Sequence, residues 1–305
     1  RFAEAARALC LPTIFGSELT LGRVHPQMGF ADPGVPEPNA PAPPPRTRSR
    51  AGHVTLGGIE VAQGRPDPGS SLDGETHLLV LARDPRGYAL LARAASEAQL
   101  RGEKGAPRAT LLDVAALGGT GAASMADRDH WCVLTGCRKG AVVRALVEQG
   151  PAGAAYELAR LIELFGRHNV VVELWDHGDP LDSARNDALV ELAIRAGVDI
   201  VATNNVHYAT PSRRPLATAL AAVRARRSLD EIDGWLPAAA GAHVRSGAEQ
   251  ARRFARYPGV IACAAELGRA CAFDLSLVAP SLPPFDCPPG LDEMAWLREL
   301  TERVR

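Results

Sequence analysis

The run Val170-Val171-Val172-Glu173-Leu174, then a helical pattern from Ser183 to Ala196, then Asp199-Ile200-Val201-Ala202-Thr203, decides the fold. Two short runs rich in β-branched residues flank a helix of ordinary length, which is the pattern of a strand–helix–strand unit. The alternation extends outward. Thr13 to Leu21, Thr76 to Ala82 and Trp131 to Thr135 read as further strands, and helices are predicted near Arg86 to Ala98, Ala141 to Glu148 and Ala154 to Phe165. Later helices follow near Pro215 to Arg227, Ala248 to Arg256 and Val260 to Ala270. This alternation predicts an α/β fold with a mainly parallel sheet, whose chemistry collects where strands end and loops begin.

Composition narrows the classes. The chain has 305 residues, a formal net charge of −1, 46% hydrophobic and 23% charged residues, an ordinary globular balance that excludes a uniformly basic nucleic-acid binder. Lys104 and Lys139 are the only lysines among the 34 basic residues, a skew that reads as GC-rich coding rather than as a phosphate-binding signal. No apolar run approaches the roughly 18 residues needed to span a bilayer, and no secretory signal is visible, so no membrane partner is expected. Cys10, Cys132, Cys137, Cys263, Cys271 and Cys287 are scattered without a CxxC pair. That spacing fits reduced thiols and a cytoplasmic location.

One segment stands apart. Between Pro26 and Asp73 lie ten prolines, including those of Pro41-Ala42-Pro43-Pro44-Pro45, followed by Arg46, Arg48 and Arg50. Such a stretch cannot bury enough apolar surface to offset its ordering entropy, and polyproline II or disorder is expected for residues 26–73. The chain begins at Arg1 inside one helical pattern (Phe2, Ala5, Ala6, Leu9) and ends at Arg305 inside another that starts near Asp292. Both ends read as cuts through a longer protein.

Candidate chemistry lies at the strand ends. Gly16-Ser17-Glu18 is placed after the first strand, and His77 opens the second. Thr135-Gly136-Cys137-Arg138-Lys139-Gly140 follows the third, and Thr203-Asn204-Asn205-Val206-His207-Tyr208 the fifth. A carboxylate, two histidines and a thiol suit zinc, or manganese at a more oxygen-rich centre. Taken singly, Glu18 equally fits a solvated charge, His77 a hydrogen-bonded edge residue and Cys137 a small buried hydrophobe. His177, at the exit of the fourth strand, fits either a ligand or a turn residue, the turn being favoured, and Arg185-Asn186 reads as a helix face bonded to a neighbouring loop.

Four phrases occur in one order: Phe15-Gly16-Ser17-Glu18-Leu19, His77-Leu78-Leu79-Val80-Leu81-Ala82 with Gly87-Tyr88, Leu134-Thr135-Gly136-Cys137-Arg138-Lys139-Gly140, and Val201-Ala202-Thr203-Asn204-Asn205-Val206-His207-Tyr208. Together they resemble the polymerase-and-histidinol-phosphatase (PHP) domain at the N-terminus of bacterial C-family DNA polymerases, nearest in wording to the error-prone, DnaE-type polymerases of actinobacteria. Ala242-His243-Val244-Arg245-Ser246 and Leu282-Pro283-Pro284-Phe285 look like the stretch leading toward the polymerase palm.

The resemblance implies a distorted (β/α)7 barrel, N-terminally incomplete, with Glu18, His77, Cys137 and His207 at metal-ligand positions. It implies barrel segments at 1–25 and 74–245, the proline-rich insertion at 26–73, and a helical connection at 246–305. It further implies a DNA-directed polymerase of repair and damage-induced mutagenesis, with DNA and other replication or mutasome proteins as partners. Magnesium would sit in a palm beyond Arg305.

Two departures from the family pattern stand out. A His-x-His strand and a Thr-Asp-His-Asp strand would precede Arg1, and the Asp of the Asp-x-His motif is Asn205 here. An amide lacks the anionic oxygen that holds a divalent ion, so low metal occupancy and weak hydrolysis are expected, with the domain acting as a scaffold. The alternative is a stand-alone metallo-phosphoesterase of the histidinol-phosphatase type.

Overall fold

The computed structural model describes residues 2–22, 53–56, 59–62, 75–103, 106–232, 236, 239–274 and 285–303. In chain order the elements are α1 (Phe2–Ala8), β1 (Gly16–Leu21), β2 (His53–Leu56), β3 (Ile59–Ala62), β4 (Thr76–Ala82), α2 (Pro85–Arg101), α3 (Leu111–Gly118), β5 (Trp131–Leu134), α4 (Ala141–Gln149) and α5 (Pro151–Phe165). There follow β6 (Val170–Leu174), α6 (Asp182–Ala196), β7 (Asp199–Ala202), α7 (Arg214–Ala225), α8 (Gly247–Arg253), α9 (Val260–Ala270) and α10 (Glu293–Arg303).

Local chemistry explains these boundaries. Helix α2 starts where the Asp84 carboxylate accepts the Gly87 N–H at 2.8 Å, with Pro85 supplying a preset φ in the first turn. Helix α3 opens on a reciprocal capping box between Thr110 and Asp113. Helix α6 stops at Gly197, whose φ of +64° closes the helix in the left-handed region.

Five strands form one sheet in the order β1-β4-β5-β6-β7. The β5–β6 and β6–β7 pairs are parallel, whereas β1–β4 and β4–β5 are antiparallel. The sheet is therefore mixed, where the alternation of elements predicted mostly parallel pairing. The reason lies in β4. Leu78 and Val80 face one core and Leu79 and Leu81 the other, so the strand is apolar on both sides, as parallel strands usually are. Composition records that double burial and carries no information on strand direction.

The two faces hold two cores. On the outer face Leu19, Leu78, Val80, Val133, Val172 and Leu174 pack with residues of α2 through α6. Trp131 is fully buried there, and its indole N–H donates to the Gly87 carbonyl at 2.8 Å. On the inner face Cys132, Leu134, Val171 and Val201 meet Cys271 together with Cys263, Ala264 and Leu267 of α9. Each large side chain so buried contributes about 1.5–3 kcal/mol relative to exposure. Strict alternation also sends Glu18, His77 and Glu173 to this inner face, because Leu19, Leu78 and both neighbours of Glu173 belong to the outer core.

Several elements differ from the sequence reading. Helix α3 was not anticipated, β1 starts at Gly16 rather than Thr13, and α8 ends three residues early at Arg253. In the proline-rich segment β2 and β3 pair as an antiparallel ribbon that the sequence reading did not foresee. The rest of that segment, and Leu282-Pro283-Pro284, lie outside the described residues.

The chain divides into two compact units, Arg1–Phe273 and Asp274–Arg305. In the smaller unit α10 begins where Asp292 accepts the Ala295 N–H at 2.7 Å, and Arg303 stacks over Trp296. No helix among the described residues is long and apolar enough to cross a membrane.

Candidate metal centre

Three of the four residues singled out in the sequence converge. Glu18, His77 and Cys137 each offer a ligand atom, and these atoms all lie within 4.8 Å of one another. His77 Nδ1 is 2.8 Å from Glu18 Oε1, and the Cys137 thiol is 3.9 Å from Glu18 Oε2.

Strand pairing brings them together. Glu18 lies within β1, rather than after it, directly opposite Leu79. His77 is therefore its diagonal cross-strand neighbour on the inner face. Because β4 runs antiparallel to β5, the start of β4 stands at the same end of the sheet as the exit of β5. The 135–140 loop is stitched to that start: the His77 N–H donates to the Lys139 carbonyl at 2.9 Å, and His77 pairs in a parallel bridge with Gly140. Gly136 makes the turn with φ +78°, and the Gly140 N–H closes it onto the Cys137 carbonyl at 2.7 Å.

The three groups tune one another. Cys137, then Glu18, hold the proton on His77 and push its pKa up to about 9, against the opposing effect of burial. The same contact with His77 lowers the Glu18 carboxyl. A divalent ion would displace that proton, as metal binding at imidazole and thiol ligands does. The donor set of carboxylate, imidazole and thiol fits zinc. Ligands at zinc–donor distances of about 2.0–2.3 Å stand roughly 3.3–3.8 Å apart in a tetrahedron, a range that the 2.8 Å Glu18–His77 and 3.9 Å Glu18–Cys137 separations bracket.

His207 does not join this cluster. It is exposed in the loop after β7, with its backbone N–H on the Ala242 carbonyl at 2.9 Å. Partial desolvation, then the charge of His177, lowers its pKa, while Glu18 pulls it up; the loop thus sits within electrostatic range of the triad. Asn205, in the same loop, has φ +38°, a backbone region that asparagine tolerates better than most residues.

His177 turns after β6 as expected, but it is buried. Its N–H donates to Asp182 at 2.7 Å, and Nε2 meets the Asn204 carbonyl oxygen at 2.7 Å, with burial lowering its pKa. Arg185 and Asn186 both donate to the Trp175 carbonyl, the loop contact expected of them. Sequence reasoning passed over Glu173, a buried carboxyl behind the triad that is raised to about 7, chiefly by desolvation. Its one sequence signal is a carboxylate in an otherwise apolar strand.

The PHP domain family matches residues 1–177, more than half of the chain, and the chain belongs to that family. The chain is 47% identical over 302 residues to the error-prone DNA polymerase of Mycolicibacterium paratuberculosis (strain ATCC BAA-968 / K-10), covering 99% of this chain and 23% of the relative. It is 47% identical over 301 residues to the error-prone DNA polymerase of Mycobacterium tuberculosis (strain ATCC 25618 / H37Rv), covering 98% and 23% respectively. With the error-prone DNA polymerase of Nocardia farcinica (strain IFM 10152) the identity is 45% over 310 residues, 99% of this chain and 26% of the relative. The chain thus spans about a quarter of the length of these relatives.

Proposed function

We propose that this chain is the PHP portion of an error-prone, DNA-directed DNA polymerase that serves in repair and damage-induced mutagenesis. The carrying observation is the match itself: 99% of the chain aligns at 47% identity with a polymerase of which it covers 23%. Nucleotidyl transfer, with its magnesium ions, is assigned to a palm in the remainder of the longer polypeptide, which would also supply the contacts with DNA and with replication or mutasome proteins. The proposed location is the cytoplasm.

Within this portion the barrel occupies 1–25 and 74–245, and 246–305 leads toward the palm. Glu18, His77 and Cys137 hold one soft-leaning ion, zinc in preference to manganese, with His207 at the rim as a further ligand. Replacing an aspartate by Asn205 removes an anionic oxygen that a second ion would need, which favours a scaffold over a hydrolytic centre. The stand-alone phosphoesterase reading has no observation of its own in its favour.

Primer extension tests the assignment. The longer polypeptide, given primed template, magnesium and four nucleotides, should extend the primer, whereas this chain should yield no product above a mock purification. Template-dependent synthesis by the chain alone would overturn the division of labour.

A further inference from the structure

Behind the triad lies a group that neither the metal reading nor the core explains. Glu173 sits in β6, the central member of the parallel trio β5-β6-β7, and is only 4% exposed. Every other residue of β6 is valine or leucine. The Thr203 hydroxyl donates to Glu173 Oε1, while Oε2 is buried without a hydrogen-bond partner. A buried carboxyl with one unmatched oxygen costs stability that a valine at this position would not.

Its neighbours give the reason for its presence. Thr203 begins the loop that carries Asn205 and His207, and its own N–H is fixed on the Leu174 carbonyl at 2.8 Å. On the other side, the Glu173 backbone N–H donates to the Thr135 hydroxyl at 2.9 Å. Thr135 and Gly136 begin the loop that carries Cys137. The two loops leave the strands on either side of β6 and share Glu173.

We propose that Glu173 is a positioning residue, a buried clamp that fixes the Cys137 loop and the His207 loop to each other beneath the metal centre. The clamp acts through two hydrogen bonds, the Thr203 hydroxyl donating to the carboxylate and the Glu173 backbone N–H donating to the Thr135 hydroxyl, and it holds both loops before any ion arrives. The proposal rests on the reading of Glu18, His77 and Cys137 as a metal centre, because positioning those loops has a purpose only there.

Hydrogen exchange on the metal-free chain tests the clamp without any appeal to metal. Wild type, Glu173→Ala, Glu173→Gln and Thr135→Val are compared in peptides covering 135–140 and 203–208, with α5 as an outer-core reference. Glu173→Ala should speed exchange in 203–208 by about tenfold or more, Thr135→Val should do the same in 135–140, and both should leave α5 unchanged. Glu173→Gln keeps an oxygen that accepts from Thr203 and should stay within about threefold of wild type. Zinc affinity, read by competition with a chromophoric chelator, should fall about 10–100-fold in Glu173→Ala and recover in Glu173→Gln, the range for residues that orient ligands. Unchanged exchange of 203–208 in Glu173→Ala or of 135–140 in Thr135→Val, or an equal rise in α5, would overturn the clamp. Loops that loosen selectively in a protein that binds no zinc in any form would uphold the clamp and overturn the metal reading.

Discussion

His77 Nδ1 lies 2.8 Å from Glu18 Oε1, although the whole proline-rich segment separates the two residues in sequence. The contact is made by the β1–β4 ladder, which pairs Gly16 through Leu21 with Leu81 through Thr76. The register is set by Leu19 and Leu21 facing one core while Glu18 faces the other.

If the triad holds one ion, removing its softest donor should weaken zinc far more than manganese. Cys137→Ala is expected to cost at least about 10–100-fold in zinc affinity, since changes among outer-shell partners alone reach that range. Chelator competition with each metal checks this. The fold should be unaffected, because Cys137 is only partly buried in a loop.

Asn205→Asp restores an anionic oxygen beside His207. Manganese content per chain should rise in this variant, with zinc at the triad unchanged. Elemental analysis after gel filtration reads both. The φ of +38° at Asn205 adds a small backbone cost for aspartate, visible as a slight fall in melting temperature.

The pair His130–Asp84 gives the fold a pH dependence away from the metal centre. The ring Nδ1 lies 2.6 Å from the Asp84 carboxylate, which caps α2 through its other oxygen. Burial of the imidazole opposes the charged form, but Asp84 and the Ala126 carbonyl prevail, and the pKa is raised above 6.5. A raised folded-state pKa means that the pair's contribution is complete below pH 6.5 and is lost as pH climbs through the folded value. Both side chains are partly solvated, so screening keeps the effect below about 1 kcal/mol. Urea unfolding of wild type and His130→Ala should differ more at pH 6 than at pH 9, with wild type the more stable.

Trp131→Ala should cost about 3–5 kcal/mol in urea unfolding, the usual loss for deleting a buried aromatic. Trp131 is 1% exposed, and its removal also deletes the indole's hydrogen bond to the Gly87 carbonyl. A loss below about 1 kcal/mol would mean that α2 and β5 repack freely around the gap.

Much of this fold is visible in the sequence, for reasons specific to each element. Strands β6 and β7 and helix α9 are bounded by sharp changes between apolar runs and polar or glycine-containing turns, and their predicted limits match closely. Helix α3 escaped notice because its eight residues are short against a helical period, although Thr110 and Asp113 spell out its cap. The direction of β4 is invisible, since burial on both faces looks alike in either orientation. Glu18, His77 and Cys137 were legible only through their order along the chain; each alone fits an ordinary surface or core role. Glu173 was hidden for the opposite reason. It sits in a valine-rich run that reads as pure core, and only the neighbouring loops reveal what the carboxyl does.

The central claim is that this PHP portion carries a single-ion centre without a working hydrolytic site. Elemental analysis of zinc and manganese per chain, run beside 3′-end degradation of single-stranded DNA by the same preparation, tests it most directly. At most one zinc per chain is expected, lost in Cys137→Ala, with little or no degradation. Two or more ions per chain together with robust degradation would contradict it.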